Sequence, residues 1–473
     1  MRILFATSEA RPLIKTGGLA DVSGALPAAL RKIGLDCRLL LPGYPAVLAG
    51  IDNAEPVCNL SGLPGGITAT LLQAPMPDNG VPLYILVAPE LFQREGGPYQ
   101  DVAGHDHPDN ALRFAVFSKA AAILASDGDS PLAWRPQLLH CNDWQTGLAP
   151  AYLRLAGQTT PSLMTVHNLA YQGIFPPADL ATVELPPESF SMEGVEYYGN
   201  LSFLKAGLYY ADRLTTVSPT YAEEIRQPAL GMGMQGLLAA RGDDLVGILN
   251  GIDSGEWNPS SDRHLPCKFS ARALAGKKQC KLKLQQDLNL EPGKETPLFG
   301  IIARLAQQKG LDLILAIADG ILHRGGQIAL LGTGEKMLEA AFRELGASHP
   351  GRVAAVIGYD EGLSHRIEAA SDLFLMPSRF EPCGLNQLYS LSYGTVPIVH
   401  ATGGLRDTVE DGVTGFVFHE PTPHALWLAV ERALRAHADP KMWQRMMRAG
   451  MKRDFSWEKS AREYESLYRG LVA

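Results

Sequence analysis

The chain has 473 residues, too many for one hydrophobic core, so we expect two or three domains. Hydrophobic residues make up 46% of the chain and charged residues 19%, the composition of an ordinary globular enzyme. The net charge of −8 argues against broad binding to nucleic acid or to an anionic membrane, because both require a positive surface.

The cysteines and the N-terminus indicate the cellular compartment in which the protein works. The six cysteines are scattered without a Cys-x-x-Cys pair, so we interpret them as reduced thiols and not as disulfides or zinc ligands. The N-terminus becomes polar too early for a signal peptide, and no apolar run is long enough to span a bilayer. We therefore expect a cytoplasmic enzyme, of an oligomeric state that the sequence does not indicate.

The first half of the chain alternates short apolar runs with segments of helical periodicity, the pattern of a parallel α/β domain. The predicted strands are 3–7, 35–41, 82–88, 137–140, 162–166, 214–217 and 245–249, and the predicted helices are 21–33, 110–125, 144–155 and 199–212. Asp143 is expected to cap the helix that starts at Trp144, and Ser218 to cap a helix that starts at Pro219.

A turn-rich segment from Asn250 to Pro259 predicts a domain boundary, with an N-terminal domain over 1–250 and a second domain over 251–455. The second domain repeats the α/β pattern, and a further helix follows over 456–473. Its predicted strands are 298–302, 327–331, 353–357, 373–376 and 396–399, and its predicted helices are 267–288, 385–393, 425–436 and 441–452.

The same Thr-Gly-Gly-Leu-x-Asp string occurs near both ends of the chain. We call Thr16–Leu19 the first glycine turn and Thr402–Leu405 the second glycine turn. Each follows a predicted strand and precedes a predicted helix, which suggests two similar α/β domains that each present a glycine turn to one cleft. Lys15 adds a cation beside the first turn; the alternative is an ordinary solvated lysine in a loop.

The stretch from Asp372 to Leu405 carries the most specific chemistry. Gly384 and the backbone N–H groups at the start of the next helix can face an anion, and the second glycine turn offers further unobstructed N–H groups. Glu381 lies between them, and because a phosphate would repel its carboxylate it is better suited to accept hydrogen bonds from neutral hydroxyls. A nucleotide sugar needs both features; the alternative is an ordinary βαβ unit with a capping glutamate.

Three further motifs each have a functional and a non-functional interpretation. Arg304 and Lys309 flank one strand-to-helix turn, so both can point into the same crevice, unless they are simply solvated cations. His105-x-His107 has no further metal ligand placed by spacing, so we do not interpret it as a metal site. Gly332-x-Gly334 lacks the third glycine of a dinucleotide motif, which disfavours a dehydrogenase.

Two strings together resemble a known family. Ser378–Leu385 reads Ser-Arg-Phe-Glu-Pro-Cys-Gly-Leu and is followed by the second glycine turn, which is similar to the donor site of bacterial glycogen synthases. These belong to the ADP-glucose-dependent starch and glycogen synthases, retaining glucosyltransferases of the GT-B type. The resemblance implies two Rossmann-like, doubly wound α/β domains that face a deep interdomain cleft, with the C-terminal helix packed back on the N-terminal domain.

The resemblance also implies an activity and a set of residues. The expected reaction is transfer of glucose from ADP-glucose to the nonreducing end of glycogen or a related α-1,4-glucan, with retention at the anomeric carbon. The expected catalytic residues are His167, Glu381, Arg304 and Lys309. The expected substrate-binding residues are Lys15, Gly17, Gly18, Tyr99, Asn168, Asn250, Tyr359, Cys383, Gly384, Leu385, Thr402, Gly403 and Gly404. No cofactor or metal is implied, because cations and backbone N–H groups can carry the diphosphate charge.

Two rival functions are compatible with the sequence. The first is a transferase of the same fold that uses UDP-glucose or a small acceptor. The second is a catalytically silent glucan-binding protein, which the presence of all the charged site residues disfavours. The chain departs from the family pattern at Asn142, where a second histidine is usual, at Ala303 and Asn386, and in a short connection between Asp411 and Gly415.

Overall fold

The computed structural model describes residues 1–128 and 130–472, which form two compact units. Unit 1 contains residues 1–217, 222–251 and the chain from Trp457 onward, and unit 2 contains residues 218–221 and 252–456. Each unit is an α/β structure built on a mostly parallel sheet. No helix in the described ranges is long and apolar enough to cross a membrane.

The first part of the chain supplies twelve strands and nine helices within the described residues. The strands are β1 (Arg2–Ala6), β2 (Asp36–Pro42), β3 (Glu55–Leu60), β4 (Ala69–Pro75), β5 (Pro82–Val87), β6 (Leu138–Asn142), β7 (Ser162–Val166), β8 (Ile174–Phe175), β9 (Glu196–Tyr197), β10 (Asn200–Ser202), β11 (Arg213–Thr216) and β12 (Leu245–Gly247). The helices are α1 (Gly18–Lys32), α2 (Pro45–Ala49), α3 (Pro89–Phe92), α4 (Asn110–Ala125), α5 (Leu148–Leu155), α6 (Asp179–Thr182), α7 (Phe203–Tyr210), α8 (Pro219–Glu224) and α9 (Gln235–Ala240).

The remainder of the described chain adds six strands and nine helices. The strands are β13 (Leu298–Ile302), β14 (Gln327–Gly332), β15 (Val353–Ile357), β16 (Leu373–Met376), β17 (Val396–His400) and β18 (Phe416–Phe418). The helices are α10 (Ala275–Asp287), α11 (Leu311–His323), α12 (Lys336–Ser348), α13 (Glu361–Ala370), α14 (Asn386–Ser392), α15 (Gly403–Thr408), α16 (Pro423–His437), α17 (Pro440–Met451) and α18 (Trp457–Val472).

The main sheet of unit 1 has the strand order β12-β11-β7-β6-β1-β2-β5-β4-β3. The seven strands from β12 to β5 are parallel, and the β3–β4 hairpin extends the sheet antiparallel at one edge. After β1 the chain moves to β2 on one side, and it later returns to β6 on the other, so the order reverses between β1 and β6. A reversal of this kind opens a crevice at the carboxyl ends of the two strands.

The sheet of unit 2 is wholly parallel, in the order β15-β14-β13-β16-β17-β18. Its central strands are apolar runs buried on both faces, as expected for a sheet covered by helices on both sides. The order reverses between β13 and β16, so the loops that follow β13, β16 and β17 share one edge of the sheet. The prediction of a parallel strand-helix-strand unit over 373–399 is confirmed.

Several predicted helix starts were wrong. Residues 200–202 pair with β8 and β9 as a strand, and α7 begins only at Phe203, where the hydroxyl of Ser202 accepts a hydrogen bond from the Lys205 N–H at 3.2 Å. The helix predicted from 267 begins at Ala275. Ser218 caps α8 as predicted, since its hydroxyl accepts a hydrogen bond from the Tyr221 N–H at 3.1 Å.

The C-terminal helix α18 packs against α1 within unit 1. Its apolar face buries Trp457, Ala461, Tyr464 and Tyr468. The hydroxyl of Tyr468 lies 2.8 Å from Nδ1 of His140 in β6, and the rings of both tyrosines contact the His140 ring. Through these contacts α18 packs against β6 at the centre of the unit 1 sheet.

Candidate functional site

The loops at the switch point of unit 2 bring one predicted cation, Lys309, and the predicted glutamate together. Nζ of Lys309, in the loop after β13, lies 2.6 Å from Oε2 of Glu381, in the loop after β16. The hydroxyl of Ser378 donates to the same oxygen at 2.9 Å. The Glu381 side chain is 8% exposed and that of Lys309 is 23% exposed, so this ion pair is partly shielded from water. The alternative of a helix-capping glutamate is wrong, because Glu381 engages Lys309 and Ser378 and the α14 cap carries no side-chain hydrogen bond.

Backbone contacts hold these two loops against each other. The Arg379 N–H donates to the carbonyl of Gln308 at 2.8 Å. Gly310 has a φ of +64°, and a Cβ there would lie 2.1 Å from the carbonyl oxygen of Pro377. Only glycine permits both this backbone conformation and this approach. Arg304, on the same loop as Lys309, is exposed.

The second glycine turn is packed tightly against the loop after β16. A Cβ at Gly403 would lie 2.0 Å from the carbonyl oxygen of Glu381, and a Cβ at Gly404 would lie 2.1 Å from that of Cys383. The Gly404 N–H donates to the carbonyls of Glu381 and Pro382, both at 3.2 Å. The expectation of unobstructed N–H groups at this turn is therefore wrong for Gly404, while Thr402 stands as the N-cap residue of α15.

The segment that leads into α14 is held by its own side chains. Gly384 has a φ of +72°, and a Cβ there would lie 2.5 Å from Oε1 of Gln387. Cys383 is buried, and Leu385 is the N-cap residue of α14. Nδ2 of Asn386 donates to the carbonyl of Ile302 in β13 at 2.6 Å, so this departure from the family pattern ties α14 to the central strand.

In unit 1 the loop after β1 is organised by a residue that our sequence reasoning missed. Glu9 is 2% exposed, and its carboxylate accepts hydrogen bonds from the Thr16 hydroxyl at 2.6 Å, from the Thr16 and Gly17 N–H groups, and from the Tyr99 hydroxyl at 2.5 Å. Tyr99 also contacts the Ser8 hydroxyl at 2.7 Å, and burial raises its pKa well above the usual value. A carboxylate placed directly after the first strand was the available signal.

The first glycine turn is open where the second is packed. Gly17 has a φ of −153°, which any residue adopts, and among the described residues no atom beyond the adjoining backbone lies within 4 Å of a Cβ built at Gly17 or Gly18. Gly18 is the first residue of α1, so the unfilled space lies over a helix N-terminus. Nζ of Lys15 lies 2.7 Å from Asp21 in a largely exposed ion pair. The described chain therefore gives no steric reason for glycine at either position.

His167 lies at the end of β7, at the same edge of the sheet, and is 9% exposed. Its N–H donates to Oδ1 of Asp143 at 2.7 Å, and its ring Nε2 lies 3.0 Å from Oδ1 of Asn142. The prediction that Asp143 caps the next helix is wrong, because its carboxylate serves the His167 backbone instead. Burial lowers the pKa of His167 to about 3 and raises that of Asp143 to about 7. The imidazole is therefore neutral at physiological pH.

The other predicted binding residues occupy separate positions. Oδ1 of Asn168 accepts a hydrogen bond from the Ala170 N–H at 3.0 Å and shapes the turn after His167. Asn250 is buried, and its Oδ1 has no hydrogen-bond partner in the described structure. Tyr359 follows β15 with 77% of its surface exposed, and its hydroxyl donates to Glu361 at 2.6 Å.

Within the described residues, one group of three side chains has ligand atoms close enough to hold a metal ion. These atoms, from Glu256, Glu361 and His365, lie within 4.8 Å of one another. Nδ1 of His365 is engaged by Oδ2 of Asp262 at 2.8 Å, and the ring stacks on Trp257. None of these residues belongs to the predicted site, although Glu361 accepts the Tyr359 hydrogen bond. His105-x-His107 does not contribute to this group.

Two family models match the two halves of the chain. A starch synthase catalytic domain matches residues 2–240, and a group 1 glycosyl transferase domain matches residues 285–453. Glycogen synthase of Nitrosomonas eutropha is 52% identical, over 100% of this chain and 96% of its own length. Glycogen synthase of Aromatoleum aromaticum is 54% identical, over 100% of this chain and 97% of its own length.

A solved structure supports the same assignment. The catalytic domain of starch synthase IV from Arabidopsis thaliana, solved bound to ADP and acarbose, superposes with a TM-score of 0.89 at 31% identity, over 100% of this chain and 99% of that domain. This confirms the predicted fold class, with two Rossmann-like domains of the GT-B type. The chain is a glycosyltransferase and belongs to the starch synthase and glycogen synthase family.

Proposed function

We propose that this enzyme transfers glucose from ADP-glucose to the nonreducing end of an α-1,4-glucan such as glycogen, with retention at the anomeric carbon. The observation that carries the proposal is the Lys309–Glu381 pair at the switch point of unit 2. This pair places a cation that can bind a diphosphate beside a carboxylate that can bind sugar hydroxyls. The full-length relatives of the chain are glycogen synthases. The starch synthase relative was solved with ADP and acarbose.

In unit 2 we assign the leaving diphosphate to Arg304 and Lys309. As the glycosidic bond breaks, negative charge accumulates on the phosphate oxygens, and cations placed there stabilise the transition state more than the ground state. The N–H groups around Gly384, at the start of α14, would add to this field. The exposed ring of Tyr359 is available to stack on the nucleotide base.

Glu381 takes a different role because its carboxylate would be repelled by phosphate. Without substrate, Glu381 neutralises Lys309 at 2.6 Å. When a diphosphate draws Lys309 away, Glu381 is left to accept hydrogen bonds from the hydroxyl groups of the transferred sugar. This exchange couples the arrival of the phosphate to the release of a sugar-binding carboxylate, and the Ser378 hydroxyl keeps the carboxylate oriented at 2.9 Å.

In unit 1 we assign His167 and Asn168 to the donor sugar, and Lys15, Gly17 and Gly18 to the donor diphosphate. The bond between the anomeric carbon and the phosphate oxygen breaks while the acceptor 4-hydroxyl attacks from the same face. Its proton passes to the departing phosphate, and the His167 main-chain carbonyl steadies the oxocarbenium charge. Tyr99 and Asn250 complete the proposed set, with Tyr99 acting through its hydrogen bond to Glu9.

We further propose that the enzyme works in the cytoplasm. All six cysteines are free thiols, and Cys37, Cys141, Cys280 and Cys383 are buried. Unpaired cysteines of this number fit a reducing compartment, where thiols are not driven into disulfides. Fractionation of the host cells, with the activity assayed in each fraction, would test this location; the activity should be found in the cytoplasmic fraction.

The first test compares the two donors. Incorporation of labelled glucose into glycogen should be faster from ADP-glucose than from UDP-glucose by at least about tenfold in kcat/KM, or ~1.4 kcal/mol. Both donors are offered at equal concentration with the same acceptor, and a reaction without glycogen serves as the control. Equal or better use of UDP-glucose would reject the donor assignment.

The second test separates the two roles at the switch point of unit 2. Arg304→Ala and Lys309→Ala should each lower kcat by on the order of 10²-fold and weaken ADP binding, because each removes a cation from the leaving group. Glu381→Ala should also slow transfer, but it should leave ADP affinity unchanged or raised, because it frees Lys309 and removes a nearby negative charge.

Calorimetric titration of ADP into each variant measures this difference. Lys452→Ala, which removes an exposed cation at the end of α17, is the matched control and should bind ADP as the parent does. Glu381→Gln keeps the side chain's size and should behave like Glu381→Ala toward ADP. Loss of ADP binding in Glu381→Ala together with its retention in Arg304→Ala would reverse the assignment of roles.

A further inference from the structure

The two amide atoms of Asn142 have different partners. Asn142 is the last residue of β6 and is fully buried. Its Nδ2 donates to the carbonyl of Ala6, the last residue of the neighbouring strand β1, at 3.0 Å. Its Oδ1 lies 3.0 Å from Nε2 of His167.

The amide cannot be reversed. A carbonyl oxygen only accepts, so the atom of Asn142 that faces Ala6 must be the NH₂ group. The reverse orientation would set two acceptor oxygens against each other in a buried site, which costs the desolvation of both without a hydrogen bond. The atom that faces His167 is therefore the amide oxygen, which accepts hydrogen bonds and donates none.

The consequence for His167 is a defined tautomer. An acceptor at 3.0 Å from Nε2 requires that Nε2 carries the hydrogen. A neutral imidazole has only one N–H, so Nδ1 must keep a lone pair. The nearby ionisable groups do not favour a charged ring: His140 is buried with a pKa well below its usual value, and the Asp143 carboxyl is engaged by the His167 backbone N–H.

We propose that Asn142 is a positioning residue that holds His167 as the Nε2–H tautomer, so that Nδ1 meets the substrate as a hydrogen-bond acceptor. The chemical class that such a nitrogen recognises is a neutral hydroxyl, and it has no hydrogen to offer a phosphate oxygen or a departing group. The substrate group that donates to Nδ1 is therefore a hydroxyl of the sugar. This identification of the partner rests on the proposed function. The tautomer itself rests only on the geometry of β1, β6 and β7.

The first measurement reads the tautomer directly. The chain contains 12 histidines, so the signals of ¹⁵N-histidine-labelled enzyme are assigned to His167 by comparison with a His167→Phe variant. We expect one neutral form with the hydrogen on Nε2 between pH 6 and 8. A hydrogen on Nδ1, or a charged ring in that range, would overturn the proposal whatever reaction the enzyme catalyses.

Two substitutions test whether Asn142 is the cause. Asn142→Leu has a similar size but no acceptor, so His167 should lose its single tautomer and kcat/KM should fall by about tenfold, the worth of one oriented hydrogen bond. Asn142→Asp, held as the neutral acid by burial, keeps an acceptor oxygen opposite Nε2 and an O–H that can donate to the Ala6 carbonyl, so it should retain the Nε2–H form and recover part of the activity. Asn59→Asp, which makes the same substitution at an exposed position, is the control.

The outcomes separate a positioning role from a structural one. If Asn142→Leu does not fold because the Ala6 carbonyl loses its partner, the ¹⁵N spectrum of the parent enzyme still decides the tautomer. If Asn142→Leu folds and keeps the Nε2–H form, Asn142 is not the positioning residue. If the tautomer is as expected but neither nucleotide sugar is a donor, the proposed function fails while the assignment of the tautomer stands.

Discussion

The two glycine turns share the string Thr-Gly-Gly-Leu-x-Asp, yet their glycines are needed for different reasons. In the second turn a Cβ at Gly403 or Gly404 would lie 2.0 or 2.1 Å from a backbone carbonyl oxygen, so the fold itself excludes a side chain. In the first turn no described atom beyond the adjoining backbone lies within 4 Å of a Cβ at either position, and the Gly17 backbone has a conformation that any residue adopts. The second turn is shaped by its own chain, and the first leaves space for a ligand.

The two turns are also held in place by different kinds of contact. The second turn is fixed by backbone contacts, since the Gly404 N–H reaches the carbonyls of Glu381 and Pro382 at 3.2 Å. The first is fixed by one buried side chain, Glu9, which gathers Thr16, Gly17 and Tyr99. Because the buried Glu9 carboxylate contacts the first turn from the protein interior, the opposite side of that turn is left unobstructed. Identical strings therefore need not imply identical roles, and the space around them decides.

The largest expected effect is on the stability of unit 2. Gly403→Ala and Gly404→Ala should each lower the free energy of unfolding by about 3 kcal/mol, because the new methyl group overlaps a backbone oxygen that cannot rotate away. At Gly403 the φ of +43° adds strain. Urea titration measures the loss. The matched controls Gly17→Ala and Gly18→Ala should stay within about 0.5 kcal/mol of the parent; equal losses at both turns would remove the distinction.

An intermediate effect is expected at the carboxylate beneath the first turn. Glu9→Leu should cost about 2 kcal/mol, because the N–H groups of Thr16 and Gly17 and the Tyr99 hydroxyl lose the acceptor that they share. Thermal unfolding compared with Glu90→Leu, at an exposed glutamate at the start of α3, isolates the buried contribution. A loss no larger than that of the control would show that the turn is held by other contacts.

The smallest effect in free energy is the most informative about function. Gly17→Ala and Gly18→Ala should leave stability intact and still lower kcat/KM for ADP-glucose by at least about tenfold, because the methyl group fills space proposed for the substrate. Initial rates with saturating glycogen and varied donor measure this. Unaltered kinetics would mean that the open space over α1 is not a substrate site.

The helices and strands that the sequence predicted best are those with a strong local signal. Ser162–Val166, Leu298–Ile302, Val353–Ile357 and Leu373–Met376 are strands with the predicted bounds, and Asn110–Ala125 is the predicted helix. Central strands are apolar on both faces, which few other segments share. The short strands β8–β10 were not predicted. Each has only two or three residues, which is too few to show the alternation of apolar and polar residues that indicates a strand.

The sequence by itself determined the family, the α/β alternation and the types of residue in the candidate site, because motif strings and apolar runs are local properties. The tertiary structure alone decided which groups meet: Lys309 with Glu381 across 72 residues, Glu9 with Tyr99 across 90, and Asn142 with His167 across 25. These pairs depend on strand order, which sets which loops share an edge of the sheet. Strand order results from packing of the whole unit, and no single stretch of the chain encodes it.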